Sequence, residues 1–311
     1  MAKAAAAATK ATPTEKADVP ITEELHFRSD NAFLCLLLNR RLRQIRVIDF
    51  RAGALPAKRL FIQSVAQREG IEKVILLVEK DEVSSWTRVG FVREGTVPGF
   101  YKRSDGHLVG CVIGDKTASV EVTDATQRLA ERTIVAAKKK AAELEDGLKG
   151  ASAKQVPEKI AQAARDTVWK KNDSPWSGFD SFGRDAARMY YEVNHKKGRP
   201  NFISAEFQDC FGHALIELLR RPKGEPDLLA ATFGLRELNE ELKQREIVSA
   251  FAFAPVDDIE LSSMFLAAGF RKTGLLARGA CVEQKRSDAI LWTRKLADPS
   301  GGEGGEDGFD E

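Results

Sequence analysis

The residues with the clearest chemical potential lie in the last third of the chain. Glu206 and Glu217 fall on two short apolar stretches, 201–208 and 213–221, that read as neighbouring strands. Burial raises the pKa of a carboxyl group, which can then exchange a proton with a bound molecule. The next loop contains a glycine and leads into an amphipathic helix, a place where backbone N–H groups can bind phosphate.

These residues also have purely structural interpretations. Glu217 can point to solvent from one face of its strand, and Glu206 is open to the same interpretation. Asp227 stands where a helix N-cap is expected, so its carboxylate can occupy the N–H groups that a phosphate would use. Pro226 has no N–H to donate. The ionisable residues of the loop sum to a net charge of minus one, one lysine against two acids: Lys223, Glu225 and Asp227.

Hydrophobic periodicity places these residues in a chain with an α/β fold. We expect two units, each a mixed sheet flanked by helices, the first partial and the two joined by a helical segment. Tyr190 and Tyr191 can line a substrate pocket, or they can be packing residues of a helix, as their spacing also allows. The expected segments are a disordered tail, a partial unit, a helical insert, a fuller unit and a disordered acidic tail: 1–25, 30–116, 117–200, 201–298 and 299–311.

The two units repeat one ordered pattern. Residues 68–95 and 243–274 each run from the end of a helix through an apolar strand and a short helix to Gly-Phe. A further glycine follows five positions after the first glycine, at Gly95 and at Gly274. One Gly-Phe is common by chance, whereas the whole ordered series favours a duplicated fold.

This order resembles the GNAT acetyltransferase superfamily, and within it the β-lysine N-acetyltransferase-like proteins. The similarity covers about 30–115 and 200–297, and it rests on Gly-Phe after the short helix and on three short motifs. The resemblance implies an acetyl-CoA-dependent N-acetyltransferase acting on a small amine or amino acid. The motifs are TVPGFY at 96–101, SAE at 204–206 and AILWTRKL at 289–296.

The resemblance also assigns roles to residues. It places Glu217, or Glu206, beside the acetyl thioester as the base for the acceptor amine. The family uses a loop of the form Arg/Gln-x-x-Gly-x-Gly/Ala to hold pyrophosphate, from which loop 222–230 departs. Phe265 stands where many members have a tyrosine that protonates the leaving thiolate. The expected cofactor-binding residues surround that loop: Leu219, Arg220, Lys223, Gly224 and Leu228.

The departures from the family pattern leave a second hypothesis open, a non-catalytic GNAT-fold protein that binds a protein partner. The net charge of +2 argues against nucleic-acid binding by bulk electrostatics. Four scattered cysteines without a CxxC pair predict neither a metal site nor a disulfide framework, and they suit a reduced cytoplasmic protein. The apolar run 33–38 is too short to cross a membrane.

Overall fold

The fold was analysed in a computed structural model, which describes residues 20–30, 32–51, 53–114, 120–145, 147–208 and 211–297. The predicted acidic tail, most of the predicted N-terminal tail, and Cys210 lie outside these residues. The first strand begins at Thr22. The predicted N-terminal tail, 1–25, therefore extends too far, because its last four residues belong to this strand. Among the described helices, none has the length and apolar character needed to span a bilayer.

The first unit consists of six strands and two helices in chain order. It begins with an antiparallel three-stranded meander and continues through a helical crossover to a parallel strand. Its elements are β1 (Thr22–Ser29), β2 (Ala32–Asn39), β3 (Gln44–Arg51), α1 (Leu55–Arg68), β4 (Lys73–Val78), α2 (Val83–Arg88), β5 (Val92–Val97) and β6 (Gly106–Val112).

The second unit repeats this order and adds elements at its start. Helix α3 packs on α6, and β7 lies at the outer edge of the sheet. Its elements are α3 (Asp124–Leu144), β7 (Ala151–Val156), α4 (Glu158–Lys171), β8 (Ala187–His195), β9 (Asn201–Phe207), β10 (His213–Leu218), α5 (Glu225–Gln244), β11 (Ser249–Pro255), α6 (Ile259–Ala267), β12 (Arg271–Val282) and β13 (Lys285–Lys295).

The strands of both units form a single 13-stranded mixed sheet flanked by helices. Its order is β1-β2-β3-β4-β6-β5-β12-β13-β11-β10-β9-β8-β7. Read outward from the junction between β5 and β12, the two halves have equivalent strands in the same sequence. The second half carries β7 in addition, so the first unit is the partial one. The duplicated α/β architecture expected from the repeat is confirmed.

The two repeated glycines form the junction between the halves. Gly95 on β5 and Gly274 on β12 are paired antiparallel, and theirs is the one register pair that joins these strands among the described residues. A Cβ on Gly274 would lie 2.6 Å from the Gly95 Cα and closer still to the Glu94 carbonyl oxygen. Side chains at these positions would push the strands apart, which explains why both repeats carry glycine here.

A buried ion pair of the first unit lies at the same junction. Lys73 Nζ donates to Glu94 at 2.6 Å and to the Ala277 carbonyl at 2.8 Å, and Ala277 N–H donates to Glu94 at 3.0 Å. Both ionic side chains are almost wholly buried. Burial lowers the pKa of Lys73 and raises that of Glu94, and each charge partly offsets the shift of the other. Hydrogen bonds between this ion pair and the Ala277 backbone thus link the first unit to the second, in addition to the strand pairing.

The segment 117–200 differs from the prediction. It contains helices α3 and α4, as expected, but also β7 and β8, which extend the second sheet. Tyr190 and Tyr191 therefore lie on a strand and point to opposite faces rather than along one helical stripe. Aromatic residues favour strands, and this preference prevailed over the helical spacing.

Substituting alanine at the junction should destabilise the protein. Gly274→Ala forces a methyl group against the Glu94 carbonyl and the Gly95 Cα. We expect a loss of about 1–3 kcal/mol in the free energy of unfolding, measured by urea denaturation. Gly114→Ala is the control, since a Cβ there meets no atom within 4 Å, and we expect a change within about 0.5 kcal/mol. Equal stability of the two variants would contradict the role given to the junction.

Candidate functional site

The parallel strands β10 and β11 diverge in the middle of the second unit. Their pairing runs only from His213 opposite Ser249 to Leu215 opposite Phe251. Beyond that point β10 continues to pair with β9, while β11 pairs with β13. Ligands of open α/β sheets bind beyond the carboxyl ends of parallel strands where neighbouring strands separate. The divergence therefore marks the place where a site is expected.

Helix α5 begins directly after β10, and its first turn is open. Its N-cap is Gly224, with φ +79° and no side-chain cap. A Cβ on Gly224 would meet no atom within 4 Å. Among the described residues, the N–H groups of Gly224, Glu225 and Asp227 form no hydrogen bond. Unpaired N–H groups at a helix start, together with the helix dipole, favour binding of an anion.

Asp227 does not have the expected role of N-cap. It is the third residue of the helix, and its carboxylate accepts from Lys223 N–H at 3.1 Å and from Arg199 N–H at 3.0 Å. Arg199 also forms an ion pair with it at 3.1 Å. The side chain is thus turned away from the helix's own first-turn N–H groups, and its charge is balanced. Arg221, three residues before Gly224, pairs with Asp258 across the divergence.

A cavity of about 90 Å³ lies beside the divergence, between the two units. Its walls include β2 and β3 of the first unit, β10–β12 of the second, and the loop that precedes β8. A volume of this size holds several water molecules or one small organic group. Its polar lining residues come from both units: Asn39, Gln44, Arg46, Ser177, Asp180, Ser181, Glu217 and Cys281.

Arg188 on β8 binds both predicted catalytic carboxylates. Its Nη1 and Nη2 form ion pairs with Glu217 and Glu206, respectively. Burial would lower the pKa of Arg188, but the two carboxylates reverse this and raise it above its ordinary value. The structure therefore brings Glu206 and Glu217 together in one cluster, and neither points freely to solvent.

The two carboxylates have different access to the cavity. Glu217 lines it and accepts from Ser177 Oγ at 2.6 Å. Glu206 is 5% exposed and accepts backbone N–H groups from Phe182, at 3.0 Å, and Gly183, at 2.6 Å. Glu206 thus fixes the loop before β8, which makes it a positioning residue. Of the two predicted bases, Glu217 is the one placed to contact a bound molecule.

Asp180 is a further carboxyl group in the cavity that the sequence did not indicate. It accepts from Asn39 Nδ2 at 3.2 Å, and Arg41 Nε lies 3.5 Å away. Burial raises the pKa of Asp180, although Arg41 lowers it in part. Its position depends on contacts with the first unit, far away in the sequence, and local spacing contains no signal for such contacts. A buried carboxyl group with a raised pKa is suited to accept a proton.

The chain itself covers one edge of β10 at the divergence. Trp176 and Ser177 donate their N–H groups to the Leu219 and Leu218 carbonyls, at 2.8 and 3.1 Å. The Arg221 N–H donates to the Ser174 carbonyl at 3.1 Å. Leu218 pairs with Ile203 on β9 outside the hydrogen-bonded positions, so its carbonyl faces β11. Segment 174–177 therefore lies against the edge of β10 that the divergence would otherwise leave open.

The remaining predicted binding residues have varied positions. Leu219 and Leu228 are wholly buried, and Leu228 N–H donates to the Gly224 carbonyl at 3.2 Å. Arg220 pairs with Asp173 at 2.6 Å. Lys223 is exposed beside the open helix start. Tyr190 and Tyr191 are not among the residues that line the cavity, and Tyr190 packs against Phe179.

Two further side-chain groups bear on the sequence predictions. Phe265 is buried against Phe270 and Trp292, as a core residue would be.

Three possible metal-ligand atoms lie within 4.8 Å of one another, and they belong to Glu24, His26 and Cys35. Arg184 lies 3.0 Å from the Glu24 carboxylate, and its positive charge opposes a cation there.

In the first unit the equivalent helix, α1, also starts without a side-chain cap, at Ala54. Asp49 on β3 accepts from Lys58 on α1 at 2.6 and 2.7 Å, and the Lys58 side chain is wholly buried. This ion pair joins strand β3 to the first turn of helix α1 and gives the first unit's crossover a structural role.

Comparisons with known proteins give distant structural matches. No protein-family model and no curated protein matches the sequence. A spermidine N-acetyltransferase from Vibrio cholerae, solved with CoA and spermine, is 10% identical, with a TM-score of 0.38 over 48% of this chain and 98% of that chain. A ribosomal-protein-S18-alanine N-acetyltransferase from Escherichia coli is 16% identical, with a TM-score of 0.36 over 51% and 99%. Matches this distant assign neither an activity nor a site residue to this chain.

Removing Arg188 should destabilise the protein strongly. Arg188→Met leaves two carboxylates close together in a buried environment without their cation. We expect a loss of about 3–5 kcal/mol in the free energy of unfolding at neutral pH. Arg165→Met, which breaks a pair with the exposed Asp166, is the control and should cost less than about 1 kcal/mol. Denaturant titration measures both, and similar losses would show that the buried cluster is not structurally important.

Proposed function

We propose that this chain is an acetyl-CoA-dependent N-acetyltransferase of the GNAT type, acting on a small amine or amino acid. One observation carries the proposal. Among the described residues, an uncapped helix start with three unpaired N–H groups follows strand β10 after it diverges from its parallel neighbour, and β10 also lines a cavity with carboxyl groups in its walls. A diphosphate needs such a helix start, and an ammonium group needs such carboxylates.

The residues at the start of α5 fit the diphosphate of acetyl-CoA. Gly224 leaves space for close approach, and the N–H groups of Gly224, Glu225 and Asp227 supply donors. Lys223 adds an exposed positive charge. Because Arg199 balances its negative charge, the Asp227 carboxylate repels a phosphate less than the sequence alone predicts. Bound there, acetyl-CoA supplies an acetyl thioester for transfer to an amine.

Glu217 and Asp180 are the cavity residues that can take a proton from an acceptor ammonium. Glu217 is held by Arg188 and Ser177, so it suits orientation and binding of a cation. Burial raises the pKa of Asp180, which makes it a stronger base when ionised than an ordinary aspartate. The proposal also includes a cytoplasmic location, with Cys35, Cys111 and Cys281 as free thiols. The resemblance to β-lysine N-acetyltransferase-like proteins adds an amino acid as the expected acceptor.

One observation favours a second function, a non-catalytic GNAT-fold protein that binds a protein partner. Segment 174–177 already occupies the edge of β10 beside the divergence, through the carbonyl groups of Leu218 and Leu219. A cofactor arm that needs this edge would have to displace the chain's own segment. If the segment stays in place, the fold remains as a scaffold without acetyl transfer.

Isothermal titration with acetyl-CoA tests the proposal directly. We expect saturable binding to the native chain and loss of about tenfold or more in affinity in Gly224→Ala, whose methyl group would lie where the diphosphate approaches. Gly70→Ala is the matched control. Gly70 also has a positive φ, of +64°, at the end of α1, and a Cβ there likewise meets no atom within 4 Å. In both variants, alanine at a positive φ lowers the stability of the folded chain by a similar amount, about 1 kcal/mol.

Binding that is equal in the two glycine variants would show that acetyl-CoA does not use the start of α5. Absence of binding to the native chain at millimolar acetyl-CoA would remove the enzyme proposal and leave the non-catalytic function. Retained binding with no acetyl transfer to any amine would have the same consequence for catalysis.

A further inference from the structure

Arg46 is a buried cation that faces the cavity from the first unit. It lies on β3, is 7% exposed and lines the cavity wall. Among the described residues, no carboxylate lies within 4.0 Å of its guanidinium group, although many other arginines of the chain are paired. Its Nη1 donates to the Phe182 carbonyl and its Nε has no acceptor. The guanidinium group stacks on the Phe182 ring at 4.0 Å.

A buried guanidinium group without an anionic partner is costly to the folded protein. Burial lowers the pKa of Arg46 to about 10, a shift that the more distant Glu206 only partly reverses. The group nevertheless stays protonated at neutral pH. An arginine offers a planar set of donors that matches a carboxylate, and here some of those donors are unused. The missing partner is thus an anion that enters the cavity.

The cavity walls carry opposite charges. Arg46 contributes positive charge from the first unit, whereas Glu217 and Asp180 contribute negative charge from the second. Neutral hydrogen-bonding side chains from both units complete the polar lining, among them Asn39 and Gln44. A molecule that carries both an ammonium and a carboxylate group matches this distribution, whereas a simple polyamine leaves Arg46 without a partner.

We propose that the acceptor is a free amino acid whose carboxylate binds Arg46 while its ammonium group faces Glu217 and Asp180. This inference rests on the proposed function and narrows its substrate class. It also gives the first unit a direct part in the site, because Arg46 is its specificity-determining residue.

Binding of amino acids and of their decarboxylated amines tests the inference without acetyl transfer. The common L-amino acids and β-alanine are screened by thermal shift, and each one that binds is compared by isothermal titration with the amine that lacks its carboxylate. L-Lysine and 1,5-diaminopentane form one such pair. We expect at least one amino acid to bind about tenfold or more tightly than its amine. In Arg46→Met, this preference should disappear because the amino acid loses affinity.

Arg294→Met is the matched control. Arg294 also donates to a backbone carbonyl and has no carboxylate within 4.0 Å among the described residues, but it lies beside Gly269, away from the cavity. This variant should keep the full preference. Should Arg46→Met fail to fold, Arg46→Lys replaces it, and we expect a reduced but measurable preference because an ammonium group cannot form the planar double contact.

Three outcomes would overturn the inference: no amino acid binds, every amine binds as tightly as its amino acid, or Arg46→Met weakens both ligands equally. The last result would assign Arg46 a role that does not depend on the carboxylate. These outcomes are separate from the test of the proposed function. Binding of acetyl-CoA without amino-acid binding removes only this inference, whereas amino-acid binding without acetyl-CoA binding removes only the proposed transferase.

Discussion

The antiparallel contact between Gly95 and Gly274 is the constraint on which the architecture depends. It joins two half-sheets edge to edge, and it requires both residues to lack a side chain. The buried Lys73–Glu94 pair of the first unit adds hydrogen bonds to the Ala277 backbone across the same junction. The joined half-sheets bring β3 of the first unit and β10 and β11 of the second to one cavity, which therefore has walls from both units. Duplication thus creates a site that neither unit contains alone.

The two halves have the same fold but differ in their buried charged side chains. In the first, Asp49 and Lys58 form a buried ion pair at the crossover from strand to helix. In the second, the equivalent helix starts at Gly224, where a Cβ would meet no atom within 4 Å, and Arg188 on β8 binds the carboxylates of Glu206 and Glu217. Similar topology therefore supports a scaffold in one unit and a candidate binding site in the other, and function must be argued from the side chains.

Much of the fold could be predicted from the sequence, but less of the site. The ordered repeat ending at Gly95 and Gly274 predicted both units, yet a repeat does not reveal that its two copies pair with each other. Strand β7, ASAKQV, lies at a sheet edge with few buried residues, so its pattern is weak. Glu217 was found because it precedes a helix-start loop. Asp180 and Arg46 were not, because only tertiary contacts bring them to the cavity.

Hydrogen–deuterium exchange with and without CoA is the most direct test of the central claim, that the open start of α5 binds the diphosphate. We expect CoA to slow exchange at the amides of Gly224, Glu225 and Asp227, whose N–H groups have no protein acceptor among the described residues. The equivalent amides at the start of α1, beginning at Leu55, should be unaffected. Unchanged exchange at the start of α5 under saturating CoA, or protection at α1 instead, would contradict the account.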